Sequence, residues 1–199
     1  AGTKFVYTIA SKDVRSALVK DALHLLTLAG LIVPVKHTSA NGLPLGAEEN
    51  DNYVKYLFFD LGVMQTMLGN PPSDTLLASE VDFVNKGAAS EMFAGLELLK
   101  YHDCFQKAEM HYWQNTAKNA LSEVDYLIAK NGKVLPIEVK ASTQGSMQSL
   151  WVFMRKHRIH DGVRTSLENF GQLYYYDSAA DQAERFVRII PLYALSNLK

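Results

Sequence analysis

The stretch Leu121-Ser122-Glu123-Val124-Asp125-Tyr126-Leu127-Ile128-Ala129-Lys130-Asn131-Gly132-Lys133-Val134-Leu135-Pro136-Ile137-Glu138-Val139-Lys140 decides how this chain is read. Asn131-Gly132 separates two runs of alternating polarity. A two-residue type I′ turn needs positive φ at both central positions, which Asn and Gly tolerate. The expectation is a β-hairpin with strands over 121–129 and 134–140. Pairing Lys130 with Lys133 then sets Tyr126 opposite Ile137, Asp125 opposite Glu138 and Glu123 opposite Lys140. Successive side chains leave a strand on opposite faces. One face therefore carries Val124, Tyr126, Ile128, Leu135, Ile137 and Val139, and is expected to be buried. The other gathers Glu123, Asp125, Glu138 and Lys140 near one end of the hairpin.

Directly opposed carboxylates repel each other unless positive charge lies between them. A divalent cation meets that need: magnesium takes one or two carboxylates, waters and substrate phosphate in octahedral geometry. Lys140, two residues beyond Glu138 on the same face, is placed to orient a water or to stabilise charge on a phosphorane. The plainer alternative is a solvated hairpin face on which Glu123 and Lys140 form an ordinary cross-strand ion pair of little energetic weight. Asp opposite Glu argues against it, because neither the repulsion nor an Asp inside a strand favours a solvated sheet.

Outward from the hairpin, the chain reads as a mixture of helices and strands. Val14, Ala17, Leu18, Ala22, Leu25 and Leu28 recur at helical spacing before Gly30, predicting an amphipathic helix over 13–29. Leu31 to Val35 reads as a strand, Asn41-Gly42 and Pro44 as a long turn, and Tyr53 to Phe59 as a second strand. A short helix from Leu61 to Leu68 follows, and Gly69-Asn70-Pro71-Pro72-Ser73 breaks the pattern. The spacing predicts a winged-helix-like unit over 1–72 and a second unit over 73–199. Within the second, a helix over 82–100 carries Glu91, Met110 to Gln114 is a strand, and Tyr174 to Tyr176 and Phe186 to Leu192 are closing strands. That order is α/β or α+β.

With 199 residues, 48% of them hydrophobic, the chain has ample material for a core. Its longest apolar runs fall short of the ~20 residues of a membrane span. Twenty basic residues against 21 acidic ones provide no overall field for a polyanion, so any such contact must be local. The single cysteine, Cys104, excludes an internal disulfide and a Cys-based zinc site, which suits a reducing cytoplasm. The start Ala1-Gly2-Thr3-Lys4 has no initiator Met and no signal-peptide pattern, as expected of a fragment of something longer.

Glu91 in a helix, Asp125 in a strand and Glu138-Val139-Lys140 in its hairpin partner resemble the acid, acid, E-x-K signature of the PD-(D/E)XK nuclease superfamily. More of the chain carries a related likeness. Leu28-Ala29-Gly30-Leu31-Ile32, Phe59-Asp60-Leu61-Gly62, Lys86-Gly87-Ala88-Ala89-Ser90-Glu91, Glu123-Val124-Asp125-Tyr126, Ile137-Glu138-Val139-Lys140 and Ile190-Pro191-Leu192-Tyr193 resemble the C-terminal region of prokaryotic AAA-type ATPases. That resemblance implies a winged-helix segment followed by a restriction-endonuclease-like mixed sheet flanked by helices. It implies Asp125 and Glu138 as ligands of Mg2+ or Mn2+, Glu91 as a third acid at the metal, and Lys140 as the catalytic lysine. It also implies DNA as a partner, with an ATPase module preceding these residues. No G-x-x-x-x-G-K-[ST] occurs here, so ATP enters only through that missing module. Val124 stands where the superfamily label has Pro.

Arg155, Lys156, Arg158 and Arg164, with His157 and His160 between them, form the concentrated basic stretch: a candidate phosphate-backbone contact, or a solvated connection. Trp151 and Phe153 are expected in the core, and Cys104 as a small buried hydrophobe. The six histidines lack H-x-x-x-H spacing on a helix, and Ser142, Thr143 and Ser146 read as loop residues. Three functional expectations follow: a divalent-metal-dependent nuclease-like domain, a catalytically silent regulatory module of the ATPase, or a DNA-binding adaptor using the winged segment. The last is weakened by the few basic residues there, Lys12, Arg15 and Lys20.

Overall fold

The computed structural model describes residues 16–69, 86–115, 117, 122–142, 145–178 and 181–198. Helix α1 spans Ser16–Leu28, strand β1 Ile32–Thr38, β2 Glu49–Phe58, α2 Leu61–Met67 and α3 Lys86–Leu99. Then come β3 (Met110–Gln114), β4 (Glu123–Lys130), β5 (Lys133–Glu138), α4 (Gln148–Lys156), β6 (Asp161–Ser166), β7 (Gly171–Asp177) and β8 (Ala183–Pro191). The strands form one eight-stranded mixed sheet in the order β2-β1-β3-β4-β5-β6-β8-β7. Residues 13–15, 70–85, 121 and Thr143, on which some expectations fell, lie outside the described residues.

Strands from both sides of the expected break at 69–73 share this sheet, since β1 pairs in parallel with β3. The helix, strand, turn and strand of the first expected unit are present, but β1 and β2 are part of the larger sheet. Helix α1 forms, yet none of its residues is buried: Leu18, Leu25 and Leu28 are open to solvent. The main core lies between α3 and one face of the sheet, where Met92 and Leu98 meet Val35, Tyr112, Tyr126 and Ile137. On the other face Phe153 of α4 packs with Trp113, Val124 and Leu127.

The basic segment 155–164, expected as a connection, is instead the end of α4, a turn and most of β6. Leu150, Phe153 and Met154, at i, i+3 and i+4, supply the buried face of α4. The helix closes with Arg158 N–H on the Arg155 carbonyl and Ile159 N–H on the Met154 carbonyl at 2.8 Å, while Ile159 packs on the cluster containing Met154. That is a Schellman motif with Arg158, φ 54°, at the position where glycine is usual. Cys104, expected to be buried, is exposed.

The hairpin turns at Asn131 (φ 50°) and Gly132 (φ 72°), and its register runs from Lys130↔Lys133 to Tyr126↔Ile137 as expected. The faces are sorted differently beyond Tyr126. On β3, His111 pairs with Leu127 and Trp113 with Val124, so one residue of β3, Tyr112, stands against two of β4, Asp125 and Tyr126. This is a β-bulge, which bends a strand and re-aims its side chains. It sends Val124 and Leu127 to the α4 face and brings Asp125 and Tyr126 to the α3 face with Glu123. The expected sharing of one face by Val124 and Tyr126, with Glu123 and Asp125 opposite, is therefore corrected.

Candidate functional site

The bulge ends the β4–β5 ladder one pair before Asp125 meets Glu138. Asp125 Oδ2 instead accepts the backbone N–H of Val139 at 2.7 Å, so the carboxylate continues the pairing that the backbone gives up. Tyr126, buried beside it, donates its hydroxyl to the Glu91 carbonyl at 2.7 Å and fixes α3 against the strand. The result is a group of three carboxylates, Glu91 from α3 with Glu123 and Asp125 from β4, each of which offers one oxygen within 4.8 Å of the other two.

A residue that the sequence reading did not single out stands among them. Lys55 of β2, 3% exposed at its side chain, bonds Glu91 Oε1 at 2.9 Å and also Glu123. Its ammonium lies 4.7 Å from the centroid of the Tyr112 ring. Burial opposes its charge, but the Glu91 and Glu123 carboxylates overcome that and hold its pKa above the usual lysine range. The available signal was a lone charge inside the uncharged run Tyr53 to Phe59. A buried lysine needs a buried partner.

Lys140 does not pair with Glu123, as the extrapolated register had it; its Nζ meets Glu138 Oε1 at 2.6 Å. Its backbone is clasped by Thr165 of β6, whose Oγ1 accepts from Lys140 N at 2.8 Å and donates to Lys140 O. No sequence signal marked Thr165. Glu138 is buried, and its Oε2 has no hydrogen-bond partner among the described residues. It stands outside the group of three but close enough that its charge raises the pKa of Asp125.

Burial pushes the carboxyls of Asp125, Glu138 and Glu123 above their ordinary range, and neighbouring carboxylates add to the effect. For a carboxyl raised in the folded state the proton is bound more tightly there than in the unfolded chain. Its stabilising contribution is complete below the unfolded pKa, ~4, and is lost as pH rises through the folded value. His37, His102 and His157, whose pKa values burial lowers, act in the opposite sense, so the carboxyl effect is read against Asp125→Asn. The melting temperature of the metal-free wild type relative to that variant is expected to fall as pH rises above about 4, as thermal scans will show.

The four basic residues of the sequence reading are not gathered on one surface. Arg155 Nε meets Asp177 at 3.0 Å, Lys156 stands over the Trp113 ring, Arg158 is exposed in the turn, and Arg164 is buried in β6 beside Glu138. A second group of potential ligands, Glu49, Glu109 and His111, lies near β1–β3, where Lys36 already bonds Glu49 at 2.5 Å.

Residues 86–195 match the family model described as Domain of unknown function (DUF4143). The chain belongs to this family. The DUF4143 match runs from the first residue of α3 past the end of β8, so it contains Glu91, Glu123, Asp125, Glu138 and Lys140. Lys55 comes from outside it. No curated protein and no solved structure matches the chain significantly. Among the described residues, no helix is long and apolar enough to cross a membrane.

Proposed function

We propose that this DUF4143 domain is a divalent-metal-dependent phosphodiesterase of the PD-(D/E)XK type, acting on DNA and forming the C-terminal part of an AAA-type ATPase, with its winged-helix-like segment as the connector. The carrying observation is the convergence of Glu91, Glu123 and Asp125, with one ammonium bonded to the first two: three formal negative charges against one positive leave two, matched by the charge of a magnesium ion. Carboxylate oxygens are the donors magnesium prefers. Oxygens bound to one such ion at 2.0–2.1 Å are about 2.9 Å apart when adjacent and about 4.2 Å when opposite, so the three oxygens, within 4.8 Å of one another, would close in around the ion.

Glu91, Glu123 and Asp125 would hold the ion, with Glu138 beside them. The metal, when bound, supplies Lewis acidity at a phosphoryl oxygen and lowers the pKa of a bound water. Lys140, anchored at its backbone by Thr165 and partly exposed at its side chain, is placed to hold a water or to stabilise charge on the phosphate. Glu138 Oε1 keeps that ammonium near the acids.

The ATPase-containing protein, incubated with linear, circular and single-stranded DNA in magnesium or manganese, is expected to cut phosphodiesters. Asp125→Ala and Lys140→Ala are each expected to lower the rate by at least about 100-fold, as removal of charge-stabilising groups does. Equal cleavage by wild type and both variants would sink the reading. A second reading is favoured by Lys55 itself: its ammonium occupies the position a cation would take, as in a domain that keeps the acids but binds no metal. Calorimetric titration with manganese separates the two, since the silent module takes up none.

A further inference from the structure

At the turn end of the hairpin, about 17 Å along β4 from Asp125 at ~3.3 Å per residue, the sheet is open. β5 pairs with β6 at Ile137↔Val163 and Glu138↔Arg164. Pro136, just before, has no N–H with which to continue that ladder. In an antiparallel hairpin, residues alternate between bonding the partner strand and facing away from it. With Lys133 bonded to Lys130 across the two-residue turn, Val134 turns its backbone N–H and carbonyl away from β4, toward the unpaired side.

A cavity of about 710 Å3 fills this opening. Lys130 and Lys133 enter it from the two sides of the turn, Arg188 from β8, and Arg158 with His157 from the Schellman turn after α4. Asp161 is the one acidic residue in its wall. None of the two lysines and two arginines forms an ion pair among the described residues. Burial and the charge of Arg188 depress the pKa of Lys130, the opposite of what a paired lysine shows. His157 Nε2 is buried and has no hydrogen-bond partner among the described residues.

Arg158 adds a separate argument. Its φ of 54° places a long side chain in the left-handed region, where glycine fits a helix C-terminus without strain. Strained backbone concentrates where side chains serve ligands, and here the strained position places an arginine in the wall of the cavity that the other three cations line.

We propose that this cavity binds a phosphorylated small molecule of nucleotide size, its phosphates held by Lys130, Lys133, Arg158 and Arg188. Two lysines and two arginines against one carboxylate call for a ligand with several negative charges, and guanidinium forks match phosphate oxygens two at a time. The volume falls within the roughly 300–1,000 Å3 of small-molecule sites. Leu43, Val134 and Ile159 give the wall an apolar part for an organic body. A concave space with apolar walls suits such a molecule better than a duplex, which needs a continuous basic stripe.

Isothermal titration of the chain with ATP and with inorganic pyrophosphate, both in EDTA so that no metal enters the acidic site, tests this. Both are expected to bind with Kd below about 1 mM, and adenosine to show no heat. Lys130→Ala and Arg188→Ala should each weaken ATP by about tenfold or more, the effect of losing one charge-assisted contact. Lys140→Ala should leave it unchanged. Arg158→Gly separates ligand from fold: it is expected to raise the melting temperature while weakening ATP. Absence of binding by both polyanions, affinity unchanged in all three cavity variants, or a single-stranded oligonucleotide bound tightly and not displaced by ATP would overturn the proposal.

Discussion

Replacing Lys55 with methionine is expected to destabilise the metal-free protein by about 3–5 kcal/mol, and millimolar manganese is expected to restore most of the loss. Lys55 is 3% exposed at its side chain and satisfies Glu91 and Glu123, which are 12% and 25% exposed. Methionine keeps the length of the side chain, so the change removes charge without opening a large void. What remains is three carboxylates within 4.8 Å with no cation among them. Breaking a buried pair by removing one partner is costly because the other charge stays buried. For a chain of this size the loss corresponds to a fall of roughly 6–20 °C in melting temperature.

Manganese gives that experiment its functional meaning. A ligand that binds only the folded state stabilises it by RT ln(1 + [L]/Kd), about 2.7 kcal/mol at one hundred times Kd. With Lys55 gone, a divalent cation no longer competes with an ammonium, so Lys55→Met should bind manganese more tightly than the wild type. Melting curves with and without the metal measure both effects. If manganese does not move the melting temperature of Lys55→Met, the acids do not form a metal site, and the silent-module reading is left standing. Adding Glu123→Gln to Lys55→Met should recover part of the stability and weaken the manganese response.

The contrast between Asn131-Gly132 and Lys55 shows where sequence reasoning reaches and where it stops. The turn and its register as far as Tyr126↔Ile137 are local: two residues dictate a turn type, and the turn type dictates the pairing. The extra residue at Asp125 and Tyr126 is not local. It exists only relative to β3, where His111 and Trp113 fix how many residues of β4 must fit between their partners. Alternation counted along β4 alone therefore gives the wrong face to Asp125. Lys55 lies 36 residues from Glu91 and 68 from Glu123, a separation no spacing rule covers. Helix α4 was hidden for another reason: its short apolar face, Leu150, Phe153 and Met154, runs into basic residues that are themselves part of its last turn.

Gly95→Ala is the second substitution with a large expected effect, and its sign discriminates. Within a helix, alanine is favoured over glycine by about 1 kcal/mol, so propensity alone predicts a more stable α3. Packing predicts the reverse. A Cβ at position 95 would lie 2.4 Å from Leu57 Cδ1 and 2.5 Å from the Tyr126 hydroxyl oxygen. Leu57 and Tyr126 are 2% and 1% exposed, so neither can swing into solvent. Overpacking of this kind costs about 1–3 kcal/mol, and displacing Tyr126 also breaks its hydrogen bond to the Glu91 carbonyl, worth about 0.5–1.5 kcal/mol. The net expectation is a loss of about 1–3 kcal/mol, or roughly 2–12 °C in melting temperature. Because Tyr126 shares the bulge with Asp125, the same change should weaken manganese binding although it touches none of the three carboxylates. A rise in melting temperature would show that α3 can lift away from β2 and β4 without cost, and that the close approach at Gly95 does not position Glu91.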